Sequence, residues 1–105
     1  MKLYLLFAAM LLLVYFTGDY VLTVQHEHAH VKVCEYLGGE GSQEVYFDNL
    51  QFKGVASCNV WSEEKAFFDG IIEGFGYQVQ ALHLILFFNT LFLLTAISVN
   101  EWKKK

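Results

Sequence analysis

Ala81-Leu82-His83-Leu84-Ile85-Leu86-Phe87-Phe88-Asn89-Thr90-Leu91-Phe92-Leu93-Leu94-Thr95-Ala96-Ile97-Ser98-Val99 is a run of 19 residues in which His83 is the one titratable side chain. As a helix it rises roughly 28 Å, close to the apolar thickness of a bilayer. A second run, Leu3–Phe16, holds 14 residues without a charge. Continued through Thr17-Gly18-Asp19-Tyr20 to Val24 it becomes 22 residues with one acid near its end, a rise of ~33 Å. These two runs predict a mainly α membrane protein built on two long helices.

The rest of the composition agrees. With 105 residues, 55% of them hydrophobic and no Pro, the chain has room for one domain and long uninterrupted helices. All seven basic residues are Lys, the net charge is −4, and three of the Lys are Lys103–Lys105. No basic face is left to track a phosphate backbone, so nucleic acid is not an expected partner. Membrane lipid is. Lys2 and a charge-free run also fit a secretory signal, but Phe16-Thr17 before Gly18 is not a small-x-small cleavage pattern, and residues 1–24 are read as an uncleaved anchor. Residues 17–76 hold ten acids and three Lys, which places both termini in the cytoplasm and this middle region outside.

The first helix is expected from Leu3 to about Leu37, where Gly38-Gly39 supplies a left-handed stop. Gly18 is a weak point where a slight bend is expected. Glu44–Phe47 and Leu50–Val55 read as two short strands about an Asp48-Asn49 turn, a small β-hairpin capping the two helices or offering an edge for strand addition. Ser62 with Glu63 and Glu64 forms a helix start. The chain thus divides into an anchor helix (1–24), an exoplasmic region (25–76) and a second membrane helix with a Lys-rich tail (77–105). Cys34 and Cys58 form either one disulfide or two buried thiols. Asn89 and Thr90 are suited to hydrogen bonds between helices or between copies in a homo-oligomer.

The chemistry concentrates at His26-Glu27-His28-Ala29-His30. In H-E-x-x-H, two imidazoles one helical turn apart share a Zn²⁺ at ~2.0–2.1 Å, and the Glu beside them acts as general base on a water acidified by the ion. A merely polar patch of three His is the alternative. The metzincin continuation fails, because Val33 and Tyr36 stand where Gly and His are required. Cys34 and Glu35 lie on the same helix, and ligands spread over two turns of one straight helix do not converge on an ion, so the third ligand should come from elsewhere. Asp69, Glu73, Tyr77 and Gln80 form one polar stripe at helical spacing. Gly70 and Gly74 with Ala66 make a small-residue strip on which another helix can lie. Glu73 is the first choice for third ligand and Asp69 the second, with an outer role toward a ligand His. Tyr77 is either an interfacial aromatic anchor or a hydroxyl donor to a developing oxyanion. His83 is left without a role.

His26-Glu27-x-x-His30 followed about forty residues later by Ile72-Glu73-Gly74-Phe75-Gly76-Tyr77 resembles the gluzincin arrangement, in particular small membrane-associated metallopeptidases of archaeal and viral type. The resemblance spans residues 20–80. It implies zinc held by His26, His30 and Glu73, Glu27 as catalytic base, and a peptide or protein substrate. The chain departs from full zincins in lacking a multistranded sheet, and from site-2 intramembrane proteases in having no Pro-containing N-x-x-P-x-x-x-x-D-G segment. Two non-enzymatic readings use the same features: a small viral-type pore-former or exclusion factor, and a membrane metal-binding protein.

Overall fold

In the computed structural model, which describes residues 2–104, α1 (Lys2–Tyr36) is followed by β1 (Gly41–Asp48), β2 (Gln51–Cys58) and α2 (Glu63–Lys103). The shape is a rod of 65 × 20 × 20 Å. Both helices are long and apolar enough to cross a membrane. α1 continues unbroken through Gly18 and stops where expected: Gly39 N–H donates to the Cys34 carbonyl (2.9 Å) and Gly38 N–H to that of Glu35 (3.0 Å), with Gly38 at φ +88°. This pair of reversed bonds around a left-handed residue is the Schellman stop. α2 starts at Ser62, whose Oγ accepts from Lys65 N–H at 3.0 Å.

The two helices lie antiparallel along a seam with three- and four-residue spacing. On α1 it holds Tyr4, Ala8, Leu11, Tyr15, Gly18, Leu22 and His26, and on α2 Asp69, Ile72, Gly76, Val79, His83 and Phe87. Such spacing keeps one stripe of each helix facing the other. His83 belongs to this seam: its ring stacks on Tyr15 (4.9 Å between centroids), donates to the Tyr15 carbonyl at 3.0 Å, and fills the space opposite Gly18. Nearer the ends, the Tyr4 hydroxyl meets Thr95 Oγ1 at 3.1 Å. Along the apolar runs, the hydrogen bonds between the helices are made by Tyr4, Thr95 and His83, whereas Asn89 and Thr90 are exposed.

A second stripe of α1, made by Asp19, Thr23, Glu27, Val31 and Cys34, lies under the hairpin. Asp19, 4% exposed, accepts the Phe52 N–H at 2.9 Å. Val31 meets Gly41, and Cys34 forms a disulfide with Cys58 across a separation of 24. Closing a loop of that length contributes roughly 3–4 kcal/mol by restricting the unfolded chain. The strands are longer than the sequence suggests, and the turn sits one residue later, at Asn49-Leu50, both with left-handed φ (50° and 61°). The register is set by packing: it opposes Phe47 to Phe52 (5.0 Å) and seats them on Phe16 and Tyr20. A turn at Asp48-Asn49 would oppose Phe47 to Leu50 and lose that cluster.

Among the described residues the hairpin packs on α1 alone, and α2 packs on another flank of α1. Between them runs an open cleft of about 840 Å³, floored by α1.

Candidate metal centre

His26 and His30 project from α1 toward α2, and Glu73 comes to them from α2. One oxygen, Glu73 Oε1, lies 3.1 Å from His26 Nε2 and 2.7 Å from His30 Nε2. One ligand atom from each residue lies within 4.8 Å of the others, so this group can hold a metal ion. Tetrahedral nitrogen and oxygen ligands at ~2.0–2.1 Å sit about 3.3 Å apart. The two spacings to Glu73 Oε1, 3.1 and 2.7 Å, are shorter than that, so the carboxylate must draw back by a few tenths of an ångström to admit an ion.

Asp69 is not a ligand in this arrangement. Its Oδ1 lies 2.7 Å from His30 Nδ1, the nitrogen turned away from Glu73, and its Oδ2 accepts from Lys65 Nζ at 2.6 Å. A carboxylate behind a ligand imidazole fixes the ring and its tautomer, as metal-binding histidines require. Both His30 nitrogens face carboxylate oxygens, an arrangement that favours the doubly protonated ring when no ion is bound. Burial acts to lower the His30 pKa, but the hydrogen bonds and charges of Asp69 and Glu73 outweigh it and raise the pKa. Burial likewise acts to raise both carboxyl groups. Lys65 and His30 overcome it at Asp69, and His30 and His26 at Glu73, so both are lowered. Were an ion held here, His30 would ligate through a deprotonated Nε2 and keep on Nδ1 the proton it shares with Asp69.

Glu27 follows His26 in sequence and therefore points about 100° around α1, to the hairpin side. It is 8% exposed and lies against Gly54 of β2, where a Cβ would come within 2.4 Å of its Cγ. Glu27, His26 and Glu73 all line the cleft. Tyr77 lines it too, but as a 69% exposed residue on the rim. Gln80, the last member of the expected polar stripe, lies farther along the same wall.

The expected small-residue strip is corrected. A Cβ on Gly70 or Gly74 would meet nothing within 4 Å, whereas one on Gly76 would lie 2.5 Å from His26 Nδ1. The close approach is made by the His26 ring on Gly76, because the inward face of α2 runs through Asp69, Ile72 and Gly76. Two supporting residues escaped the sequence reading. Lys65 was legible as a partner of Asp69 at i, i+4, but Gly54 carries no local signal. No protein-family model, curated protein or solved structure matches this chain.

Proposed function

We propose that the chain is a membrane-bound zinc metallopeptidase that holds its ion with His26, His30 and Glu73. The carrying observation is the convergence of an H-E-x-x-H pair with a carboxylate from a second helix, while Glu27 faces the same cleft. A zinc ion there supplies Lewis acidity toward a substrate carbonyl and a water. Glu27 takes a proton from the attacking water as its oxygen bonds to the carbonyl carbon, then returns that proton to the departing amine as the C–N bond breaks. Asp69 holds His30 in place, and Tyr77 stands on the rim as a candidate donor to the oxyanion. Peptide or protein is the substrate.

In this reading both helices cross the membrane, with the termini cytoplasmic and residues 17–76 outside. The Cys34–Cys58 disulfide supports that placement, since such bonds persist in oxidising compartments. The test is metal analysis of the solubilised full chain with hydrolysis of an unfolded protein. Wild type and Glu27→Gln are expected to carry one zinc per chain, His30→Ala and Glu73→Ala to lose it, and Glu27→Gln alone to keep the ion without activity. Wild type without zinc would refute the site.

The pairing of Lys65, Asp69, His30, Glu73 and His26 is complete without an ion, which favours a second reading, reversible metal binding without hydrolysis. Equal zinc in wild type and Glu27→Gln with no peptide cleaved by either is the outcome that selects it.

A further inference from the structure

The metal group stands at one end of the cleft. On α1 the lining runs from His26 back seven residues to Asp19 but forward only three, to Ala29; on α2 it runs from Glu73 on seven residues to Gln80 but back only two, to Ile71. Seven helical residues rise ~10 Å, and on both helices that stretch leads toward the apolar run. The hairpin wall agrees. Its lining residues, Tyr46 and Gln51–Gly54, belong to the half nearer the turn, and beside that turn Phe47 rests on Phe16, the last residue of the first apolar run.

From this asymmetry we infer that the substrate is a membrane-anchored polypeptide whose stalk enters the cleft from the bilayer side and is cut close to the membrane. The inference rests on the peptidase reading above and adds the source of the substrate and the place of the cut. The walls suit such a stalk: Leu22, Phe52, Ile72, Phe75 and Val79 offer apolar surface along its path. The position of the cut follows from the helices. His26 lies ten residues beyond Phe16 and Glu73 eight before Ala81, heights of ~15 and ~12 Å. An extended chain at ~3.3 Å per residue crosses that height in about four or five residues.

The test uses the zinc-loaded full chain in phosphatidylcholine–phosphatidylglycerol vesicles with three probes sharing one unstructured sequence: free in solution, joined directly to a transmembrane helix, and joined through a six-residue insertion. The anchored probes are expected to be cut at least about tenfold faster than the free one. Mass spectrometry should place both cuts about four or five residues from the apolar segment, so that the insertion moves the cut along the sequence. Gln80→Trp, at the membrane end of the cleft, should slow the anchored probes while leaving zinc content unchanged. Glu27-dependent cleavage that is equally fast on the free probe, or a cut that stays on the same peptide bond, overturns the inference and leaves the peptidase reading standing. No Glu27-dependent cleavage of any probe by zinc-loaded protein overturns both.

Discussion

Alanine at three glycines of α2 should give opposite outcomes within two helical turns. At Gly70 and Gly74 an added Cβ meets nothing within 4 Å, so the substitution only removes the entropic cost of glycine in a helix, a gain of about 0.5–1 kcal/mol at each. At Gly76 the same methyl lies 2.5 Å from His26 Nδ1 and 2.6 Å from Cε1. Ordinary heavy-atom contacts fall at ~3.5–4.0 Å, so the ring must retreat by about 1 Å, several times the ~0.2 Å tolerance of a metal–ligand bond. Disturbing only a hydrogen-bond partner of a ligand costs ~10–100-fold in metal affinity. Displacing His26 itself should therefore cost about 100-fold or more, some 2.7 kcal/mol. Competition with a chromophoric chelator measures this directly, with circular dichroism to establish that the helices remain. A folded Gly76→Ala protein that binds zinc within about threefold of wild type would refute both the ligand role of His26 and the packing on which it rests.

Three further outcomes follow from the same geometry. Gly54→Ala pushes Glu27 instead of a ligand, through a Cβ 2.4 Å from its Cγ; hydrolysis should fall by about 100-fold, the cost of a ~1 Å misplacement, while zinc content stays at the wild-type level. Leu50 is 75% exposed at φ 61°, so Leu50→Gly should stabilise the hairpin by about 1 kcal/mol, read as a raised thermal midpoint; a lowered one would show that Leu50 makes contacts worth more than its strain. In the ion-free protein, the stability from the raised His30 is fully present below its unfolded value of 6.5 and lost as pH rises through the folded one. That from the lowered Asp69 and Glu73 is present above 3.8 and 4.5 and lost as pH falls through their folded values. Thermal midpoints of chelator-treated protein should thus be highest between about pH 4.5 and 6.5, and added zinc, which competes with the His30 proton, should raise the midpoint increasingly above that window.

The elements were legible because each has a local signal: charge-free runs for the helices, Gly38-Gly39 for the first stop, Ser62-Glu63-Glu64 for the second start. The turn was misplaced by one residue for an equally physical reason. Asp48 and Asn49 are good turn formers, and nothing local marks Leu50 as a residue that tolerates left-handed backbone. The register is decided by Phe47, Phe52, Phe16 and Tyr20, which meet only after the strands have docked on α1. Gly18 misled in the same way. It reads as a flexible point, yet it is where the His83 ring fits between the helices, and the helix continues through it without a break.

The candidate site divides along the same line. The three residues that could hold an ion were readable because one-turn spacing on α1 and a polar stripe on α2 are periodic features, and periodicity survives folding. Which member of the stripe supports and which can ligate depends on the rotation of α2 about its axis, a tertiary quantity. That rotation turns Asp69 into the seam, where it meets the outer nitrogen of His30 and Lys65, and leaves Glu73 at the seam's edge, its side chain 48% exposed and reaching both Nε2 atoms. The same rotation brings Gly76 beneath His26. A turn of α2 by one residue, about 100°, would carry Asp69 away from His30 and Gly76 away from His26 together. The ligand set, its support and the glycine contact therefore stand or fall as one packing arrangement, and measuring zinc affinity in Asp69→Asn and Gly76→Ala tests that single rotation from two independent sides.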